Sequence, residues 1–204
     1  MMKYKNIIVM SLVMFLLNSC GSAYSYPNYD IIKPKVSCKP KRENIKKLIS
    51  SYIDKPYVWA EEGPYAFDCS GLTYNIYGKM GVTLPRVAKD QAKVGKEIKL
   101  NELAYGDLIF FGNKNRRSKR INHVGIYIGD GWFAHASSVN RKVMYSNFNI
   151  TKSYSKRMKV CKRYLSKDEN SIYLNEDGTI PKYKTTRFTT PWQPNMKVPQ
   201  NIPS

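Results

Sequence analysis

Residues 67–72 read Phe67-Asp68-Cys69-Ser70-Gly71-Leu72, and this stretch indicates where the central helix of the chain begins. Aspartate is a common N-cap residue, because its side chain accepts hydrogen bonds from the first N–H groups of a helix. Apolar residues then follow at helical spacing: Leu72, Ile76, Tyr77 and Met80. We therefore expect a helix from about Cys69 to Met80. Unpaired N–H groups and the helix dipole favour the thiolate form of Cys69, which makes this cysteine a candidate nucleophile.

A nucleophilic thiol needs a base, and the chain contains only two histidines, His123 and His135. Both fall in predicted strands on either side of Ile128-Gly129-Asp130-Gly131. A two-residue turn at Asp130-Gly131 would pair position 123 with position 138 and put the histidines on opposite faces. A register centred on Gly129 would instead pair 123 with 135 on one face. Catalysis requires the second register, in which one imidazole takes the thiol proton and the other orients it.

The elements around these residues predict an α+β domain at residues 41–165. Arg42 to Tyr52 has apolar residues at helical spacing with lysines between them, which indicates an amphipathic helix. Short apolar or alternating runs follow the helices and indicate strands: Asp107 to Phe111, His123 to Ile128, Trp132 to Ala136, and Lys159 to Tyr164. Helices followed by strands are typical of an α+β fold with an antiparallel sheet.

Several separated motifs resemble those of the NlpC family of bacterial cell-wall cysteine peptidases. They are Tyr57, the stretch 67–72, Leu84-Pro85-Arg86, Gln91, Gly106-Asp107-Leu108, His123-Val124-Gly125-Ile126-Tyr127 and His135-Ala136-Ser137. The resemblance covers most of residues 42–165 and implies a papain-like α+β fold. It also implies that Cys69 is the nucleophile, His123 the general base, His135 the residue that orients the base, and Tyr57 a donor to the oxyanion.

The same resemblance implies that the substrate is a peptidoglycan stem peptide or its cross-link, cleaved through a thioester acyl-enzyme without a cofactor. Asp68, Ser70 and Arg86 are candidate substrate-binding residues, although Asp68 alone would also serve as a helix cap and Arg86 as the partner of a carboxylate. Many relatives have two adjacent glycines soon after the tyrosine, where this chain reads Tyr57-Val58-Trp59-Ala60-Glu61-Glu62-Gly63. Glu61 and Glu62 could meet a substrate ammonium group or form a solvated pair. Two alternatives remain: an amidase or acyltransferase with the same cysteine, and a wall-binding lipoprotein without turnover.

The first residues predict export and lipidation. Lys3 and Lys5 precede an apolar run from Ile7 to Leu17, which is too short to span a bilayer as a helix. Leu17-Asn18-Ser19-Cys20 resembles a bacterial lipobox, so we expect a signal peptide at residues 1–19 and lipid on Cys20; an ordinary signal peptide or a buried helix is the alternative. We expect residues 20–40 to form a tether that holds a monomeric protein at the periplasmic face of a bacterial membrane. We expect the outer membrane rather than the inner one.

The chain is strongly basic, because it has 34 Lys and Arg residues and only 15 Asp and Glu residues, which gives a net charge of +19. Such a surface attracts polyanions, but the predicted compartment excludes nucleic acid as the partner. Residues 113–120 hold five basic residues between two predicted strands, which indicates either a solvated loop or a site for wall carboxylates or anionic lipid.

The remaining cysteines and the end of the chain leave alternatives open. Cys38 and Cys161 could form a disulfide in an oxidising periplasm or remain free thiols. The sequence has no closely spaced Cys and His residues, so it does not predict a metal site. Residues 166–204 hold five of the eleven prolines and are predicted to form a tail, either as an extended strap on the domain or as a disordered segment.

Overall fold

The computed structural model of the chain describes residues 31–115 and 117–165. The chain divides into two compact units, residues 1–31 and 32–204, and the following description concerns the second. The predicted signal peptide, Cys20, the first part of the tether, Arg116 and the proline-rich tail lie outside the described residues. Within the described ranges, no helix is both long and apolar enough to cross a membrane.

Three helices precede all six strands. Helix α1 (Arg42–Tyr52) buries Ile45, Ile49 and Tyr52, the stripe that its spacing predicts. Helix α2 (Cys69–Lys79) is buried over most of its length, and Asp68 caps its N-terminus by accepting a hydrogen bond from the N–H of Gly71. Helix α3 (Ala88–Gln91) is a single turn.

Six strands form one antiparallel sheet in the order β1-β6-β2-β3-β4-β5. The strands are β1 (Lys96–Ile98), β2 (Leu108–Gly112), β3 (Ile121–Gly129), β4 (Trp132–Ser137), β5 (Lys142–Asn147) and β6 (Met158–Arg163). A 3-10 turn (Leu100–Glu102) follows β1, and helix α4 (Lys152–Arg157) precedes β6. The predicted α+β class with an antiparallel sheet is therefore confirmed.

Both faces of the sheet are covered. Alternate residues of β2 point to opposite sides, so Leu108 and Phe110 join the core beneath helices α1–α3, whereas Ile109 and Phe111 join a second core. Tyr154 of α4 packs against that second core. The sheet is thus a middle layer between two cores.

The hairpin between β3 and β4 combines the predicted turn with a bulge. Asp130 and Gly131 form the two-residue turn, both with positive φ, and Gly129 pairs with Trp132. One extra residue, Ile128, then lies on β3 before Tyr127 pairs with Phe133 and Ile126 with Ala134. The predicted pairing of 123 with 135 is wrong, because this register puts Gly125 opposite position 135. The bulge nevertheless keeps both histidines on one face.

Cys38 and Cys161 are free thiols, the second of the two alternatives that the sequence left open for them. Cys161 lies fully buried in the second core, whereas Cys38 packs against the first core on the other side of the sheet. The Cys38 thiol instead donates a hydrogen bond to the carbonyl of Lys79 over 3.7 Å. The sheet therefore separates the two sulfur atoms.

The segment before α1 lies against the domain. The N–H of Ser37 donates to the carbonyl of Lys79 over 2.8 Å, and the N–H of Ile32 donates to the Glu62 carboxylate over 2.8 Å. Residues 32–38, which the sequence assigned to the tether, are therefore fixed at the end of α2.

Candidate active site

Cys69 is the first residue of α2, and the cap on that helix fixes its position. The Asp68 carboxylate accepts a hydrogen bond of 2.6 Å from the N–H of Gly71. Gly71 has no side chain where the backbone of the preceding loop passes, because a Cβ there would lie 2.1 Å from the carbonyl oxygen of Glu61. The cap and this close approach hold the loop at residues 57–62 beside the cysteine.

Tyr57 comes from that loop. Its N–H donates to the carbonyl of Arg141 over 2.8 Å, and the next N–H, of Val58, donates to the carbonyl of Phe67 over 3.1 Å. Burial raises the pKa of Tyr57, and the electrostatic interactions of its hydroxyl with Cys69 and Asp68 raise it further. The phenol therefore keeps its proton at neutral pH and is available as a hydrogen-bond donor near the sulfur.

The two histidines form a direct pair. Nε2 of His123 lies 2.9 Å from Nδ1 of His135, and Nε2 of His135 lies 2.9 Å from Oγ of Ser146 on β5. The imidazole planes stand at 87° to one another. Because Nε2 of His123 is engaged by His135, Nδ1 is the nitrogen that remains for a thiol proton.

The Cys69 sulfur lies beside the strand that carries His123. The backbone N–H of Val124, the residue after His123, hydrogen-bonds to the Cys69 sulfur, as do the N–H groups of Ser70 and of Cys69 itself, and these bonds lower the pKa of the thiol. Burial raises that pKa more strongly, the Asp68 carboxylate adds to the rise, and the result is about 11. The N–H groups at the helix N-terminus favour the thiolate, as the sequence predicts, but burial outweighs them. Cys69 is a neutral thiol at pH 7.

Both histidines are neutral as well. Burial lowers the pKa of His135 to about 4. Burial also lowers the pKa of His123 well below its ordinary value, and the charges of His135 and of Arg157 add to this effect. A neutral imidazole has a lone pair that can accept a proton, so the pair is poised as a base across the neutral range.

The three predicted substrate-binding residues meet in one ion cluster with Glu62. Arg86 donates to Asp68 over 2.8 and 3.1 Å, to Glu62 over 2.9 Å, and to the Ser70 hydroxyl over 3.3 Å. The side chains of Arg86, Asp68 and Glu62 are 14%, 12% and 11% exposed. The structure thus assigns to Asp68 the cap and to Arg86 the carboxylate partner that the sequence offered as alternatives. Contact of this cluster with substrate remains a prediction.

Two more residues support the site: Gln91, which is one of the family-like motifs, and Tyr154, which carried no signal in the sequence. Gln91 is fully buried and donates to the carbonyl oxygens of Ser70 and Pro85, which braces the start of α2. Tyr154 of α4 places its hydroxyl 3.5 Å from Nε2 of His135. Among the described residues, no group of three or more His, Cys, Asp or Glu could hold a metal ion.

Fold and site together define a papain-like α+β domain with a cysteine at a helix N-terminus and two histidines on the adjoining sheet. The sequence model of the NlpC/P60 family matches residues 54–163, more than half of the chain. The chain belongs to the NlpC/P60 family.

Two curated relatives and one solved structure illustrate the similarity. The chain is 35% identical to a gamma-D-glutamyl-L-lysine dipeptidyl-peptidase of Bacillus subtilis over 105 residues, 52% of this chain and 35% of the relative. It is 41% identical to the bifunctional muramidase/DL-endopeptidase CwlT of Bacillus subtilis over 101 residues, 49% of this chain and 30% of the relative. The crystal structure of an NlpC/P60 family protein from Bacillus cereus matches with a TM-score of 0.59 and 32% identity, covering 63% of this chain and 42% of the other. The chain spans about a third of the length of these curated relatives.

Proposed function

We propose that this chain is a cysteine endopeptidase that hydrolyses amide bonds in peptidoglycan stem peptides. The observation that carries the proposal is that His123, paired with His135 over 2.9 Å, stands on β3, the strand beside the Cys69 sulfur. Membership of the NlpC/P60 family and the names of the curated relatives support the substrate class. No step of this chemistry calls for a cofactor.

In the first half-reaction the thiol attacks while it loses its proton. Because Cys69 and His123 are both neutral at pH 7, Nδ1 of His123 takes the proton as the sulfur adds to the carbonyl carbon. The resulting oxyanion lies near the N–H groups at the start of α2 and the protonated hydroxyl of Tyr57, which are donors of the kind that stabilise such a charge. The intermediate collapses when His123 returns the proton to the leaving amine, and a thioester with Cys69 remains.

In the second half-reaction water replaces the amine. His123 takes a proton from the water, the hydroxyl adds to the thioester carbonyl, and the Cys69 sulfur leaves and regains the proton. His135 holds the imidazole of His123 in place through both steps by the 2.9 Å contact. The products are a free carboxylate and the regenerated thiol.

The relatives favour one bond of the stem peptide. One is named for cleavage between gamma-D-glutamate and L-lysine, and another is named a DL-endopeptidase. We take the bond that follows D-glutamate as the first candidate for this chain. The D-alanyl cross-link is the second.

We further propose that the protein is held at the periplasmic face of the outer membrane by lipid on Cys20. The proposal is supported by the lipobox-like sequence Leu17-Asn18-Ser19-Cys20. Replacing Cys20→Ala should yield a protein without lipid that still cleaves isolated wall material, because position 20 precedes residues 41–165, the stretch that carries the site, in the sequence. A lipid mass on the Cys20→Ala protein would contradict the assignment.

A strongly basic region supports attraction to the anionic wall. Between residues 108 and 165 only Asp130 is acidic, against thirteen Lys and Arg. Four of these bases are exposed on the loop between β2 and β3, which we call the basic loop: Lys114, Arg117, Lys119 and Arg120. This loop leads directly into β3, the strand of His123, so a polyanion bound there would lie close to the site.

The basic loop can be tested against a matched control. Replacing its four bases by glutamine should lower binding to isolated wall at low salt, with little change in stability, since exposed charges contribute little to folding. The control replaces four exposed lysines on the helical side, which changes the net charge equally: Lys46, Lys47, Lys89 and Lys93. Equal binding losses in both variants, or binding that does not depend on salt, would contradict a local role for the loop. If the basic-loop variant still binds anionic vesicles but no longer binds wall, the partner of the loop is the wall and not the lipid.

The decisive experiment for the function is digestion of peptidoglycan followed by mass spectrometry. Purified protein should release fragments whose new termini identify the bond, and Cys69→Ala should release none. Cys38→Ala is the matched control, because Cys38 is a half-buried thiol outside the site. Release of an acyl-transfer product instead of an acid would indicate the acyltransferase alternative. Wall binding without any released fragment would indicate a non-catalytic lipoprotein.

A further inference from the structure

The contact of His135 with Ser146 extends the row of side chains beyond the two histidines. Oγ of Ser146 lies 2.9 Å from Nε2 of His135, which in turn lies 2.9 Å from His123 through its other nitrogen. His135 is 1% exposed, so the protein supplies the partners of both its nitrogens. The three side chains therefore form one line whose last nitrogen is Nδ1 of His123.

Two proton arrangements satisfy this line, because a neutral imidazole has one N–H donor and one acceptor. In the first, His123 donates from Nε2 to His135, and His135 donates from Nε2 to Ser146. In the second, every bond is reversed: Ser146 donates to His135, and His135 donates from Nδ1 to His123.

Only the first arrangement can perform base catalysis. It leaves a lone pair on Nδ1 of His123, which can take the thiol proton. The second arrangement puts a hydrogen on Nδ1 of His123 and leaves no acceptor for the thiol. Whether Ser146 accepts or donates therefore decides whether the site can react.

The surroundings of Nε2 of His135 favour an acceptor role for Ser146. The Tyr154 hydroxyl approaches the same nitrogen at 3.5 Å, the limit of hydrogen-bond distance. If Nε2 of His135 carries the hydrogen, it can donate to both hydroxyl oxygens at once. If Nε2 instead carries the lone pair, it accepts well from only one of the two hydroxyls. When His123 becomes charged, its donation to His135 strengthens, and donation from His135 to Ser146 strengthens with it.

We propose that Ser146 is a positioning residue that accepts a hydrogen bond from His135 and thereby keeps His123 in the tautomer that can deprotonate Cys69. The proposal rests on the proposed function. The groups that face the histidine pair from neighbouring elements are Ser146 of β5 and Tyr154 and Arg157 of α4. Substitutions at these three positions are therefore the ones that can change the pH at which the pair takes up a proton.

The test measures kcat, KM and the rate of Cys69 alkylation by iodoacetamide, each as a function of pH. Replacing Ser146→Ala should lower both kcat and the alkylation rate about tenfold with KM unchanged, the loss expected for one buried hydrogen bond in the reacting state. Ser146→Thr keeps the hydroxyl and should restore both rates to within about twofold of the original. Tyr154→Phe is the matched control, because it removes the more distant hydroxyl and keeps the ring; its effect should be smaller than that of Ser146→Ala.

Ser146→Asp distinguishes accepting from donating. A carboxylate only accepts, so this variant should react faster than Ser146→Ala, and its charge should move the acid limb of both profiles to higher pH. A folded Ser146→Asp protein slower than Ser146→Ala would mean that Ser146 donates, which overturns the proposal. Unchanged kcat and alkylation in Ser146→Ala, or a loss confined to KM or thermal stability, would overturn it too. Because alkylation needs no wall substrate, the expected alkylation pattern without stem-peptide cleavage would contradict the proposed function and still support the role of Ser146.

Discussion

Acidification should destabilise this domain through His135. The ordinary histidine pKa is 6.5 and burial lowers that of His135 to about 4, so the unfolded chain binds the proton more readily across this interval. The free energy of unfolding is then fully present above pH 6.5 and falls as the pH decreases towards 4. The difference between these two pKa values corresponds to a loss of about 3 kcal/mol in the free energy of unfolding. His123 adds to the loss with the same sign, because its pKa is also lowered.

Urea unfolding followed by tryptophan fluorescence at pH 7 and pH 4 measures this loss. The original protein should lose about 3 kcal/mol more between the two pH values than His135→Asn, which cannot take up the proton. Asp107 also has a shifted pKa, raised by burial, but it is present in both proteins and cancels in the comparison. Equal losses in the two proteins would refute the argument that His135 is held neutral by burial.

Further predictions concern the site and its support. Cys69→Ala and His123→Ala should each abolish nearly all stem-peptide hydrolysis, and the double variant should be no worse, because the two groups act as a unit; an active Cys69→Ala protein would refute the assignment. In the original protein, the acid limb of kcat/KM should lie below pH 6.5, since the pKa of His123 is lowered. Gly71→Ala should cost about 1–3 kcal/mol in thermal unfolding, because its Cβ would lie 2.1 Å from the Glu61 carbonyl oxygen. Arg163→Met should cost about 3–5 kcal/mol in urea, because it leaves the Asp107 carboxylate buried without the guanidinium that now lies 2.6 Å away.

Helices α1 and α2 and four of the strands (β2, β3, β4 and β6) could be predicted because their side chains repeat with the period of the element. Helix α1 was predicted with its observed bounds, and α2 differs by one residue at its end. Strand β5 was missed because only Val143 and Asn147 are fully buried in it, which leaves little alternation to detect. Helix α4 was missed because Lys-Ser-Tyr-Ser-Lys-Arg has no apolar period; the packing of Tyr154 on the second core stabilises it.

The identity of the candidate catalytic residues could be predicted, whereas their protonation could not. Cys69, His123 and His135 stand in motifs that carry the family resemblance. Their pKa values depend chiefly on burial, which arises only when the sheet is covered on both faces. The neutral resting state of the thiol and imidazole is therefore a property of the folded domain and not of the helix terminus alone.

The bulge at Ile128 makes the paired part of this hairpin sensitive to the insertion or loss of a single residue. A two-residue turn by itself would put His123 and His135 on opposite faces, and the single extra residue on β3 reverses that outcome. Deleting or inserting one residue in the paired part of β3 or β4 between the histidines would send one imidazole to the other side of the sheet. A change in the turn would leave both faces as they are. Among descendants of this sequence, active copies should therefore vary in the length of the turn, and a one-residue change within either strand should mark a copy that has lost its chemistry.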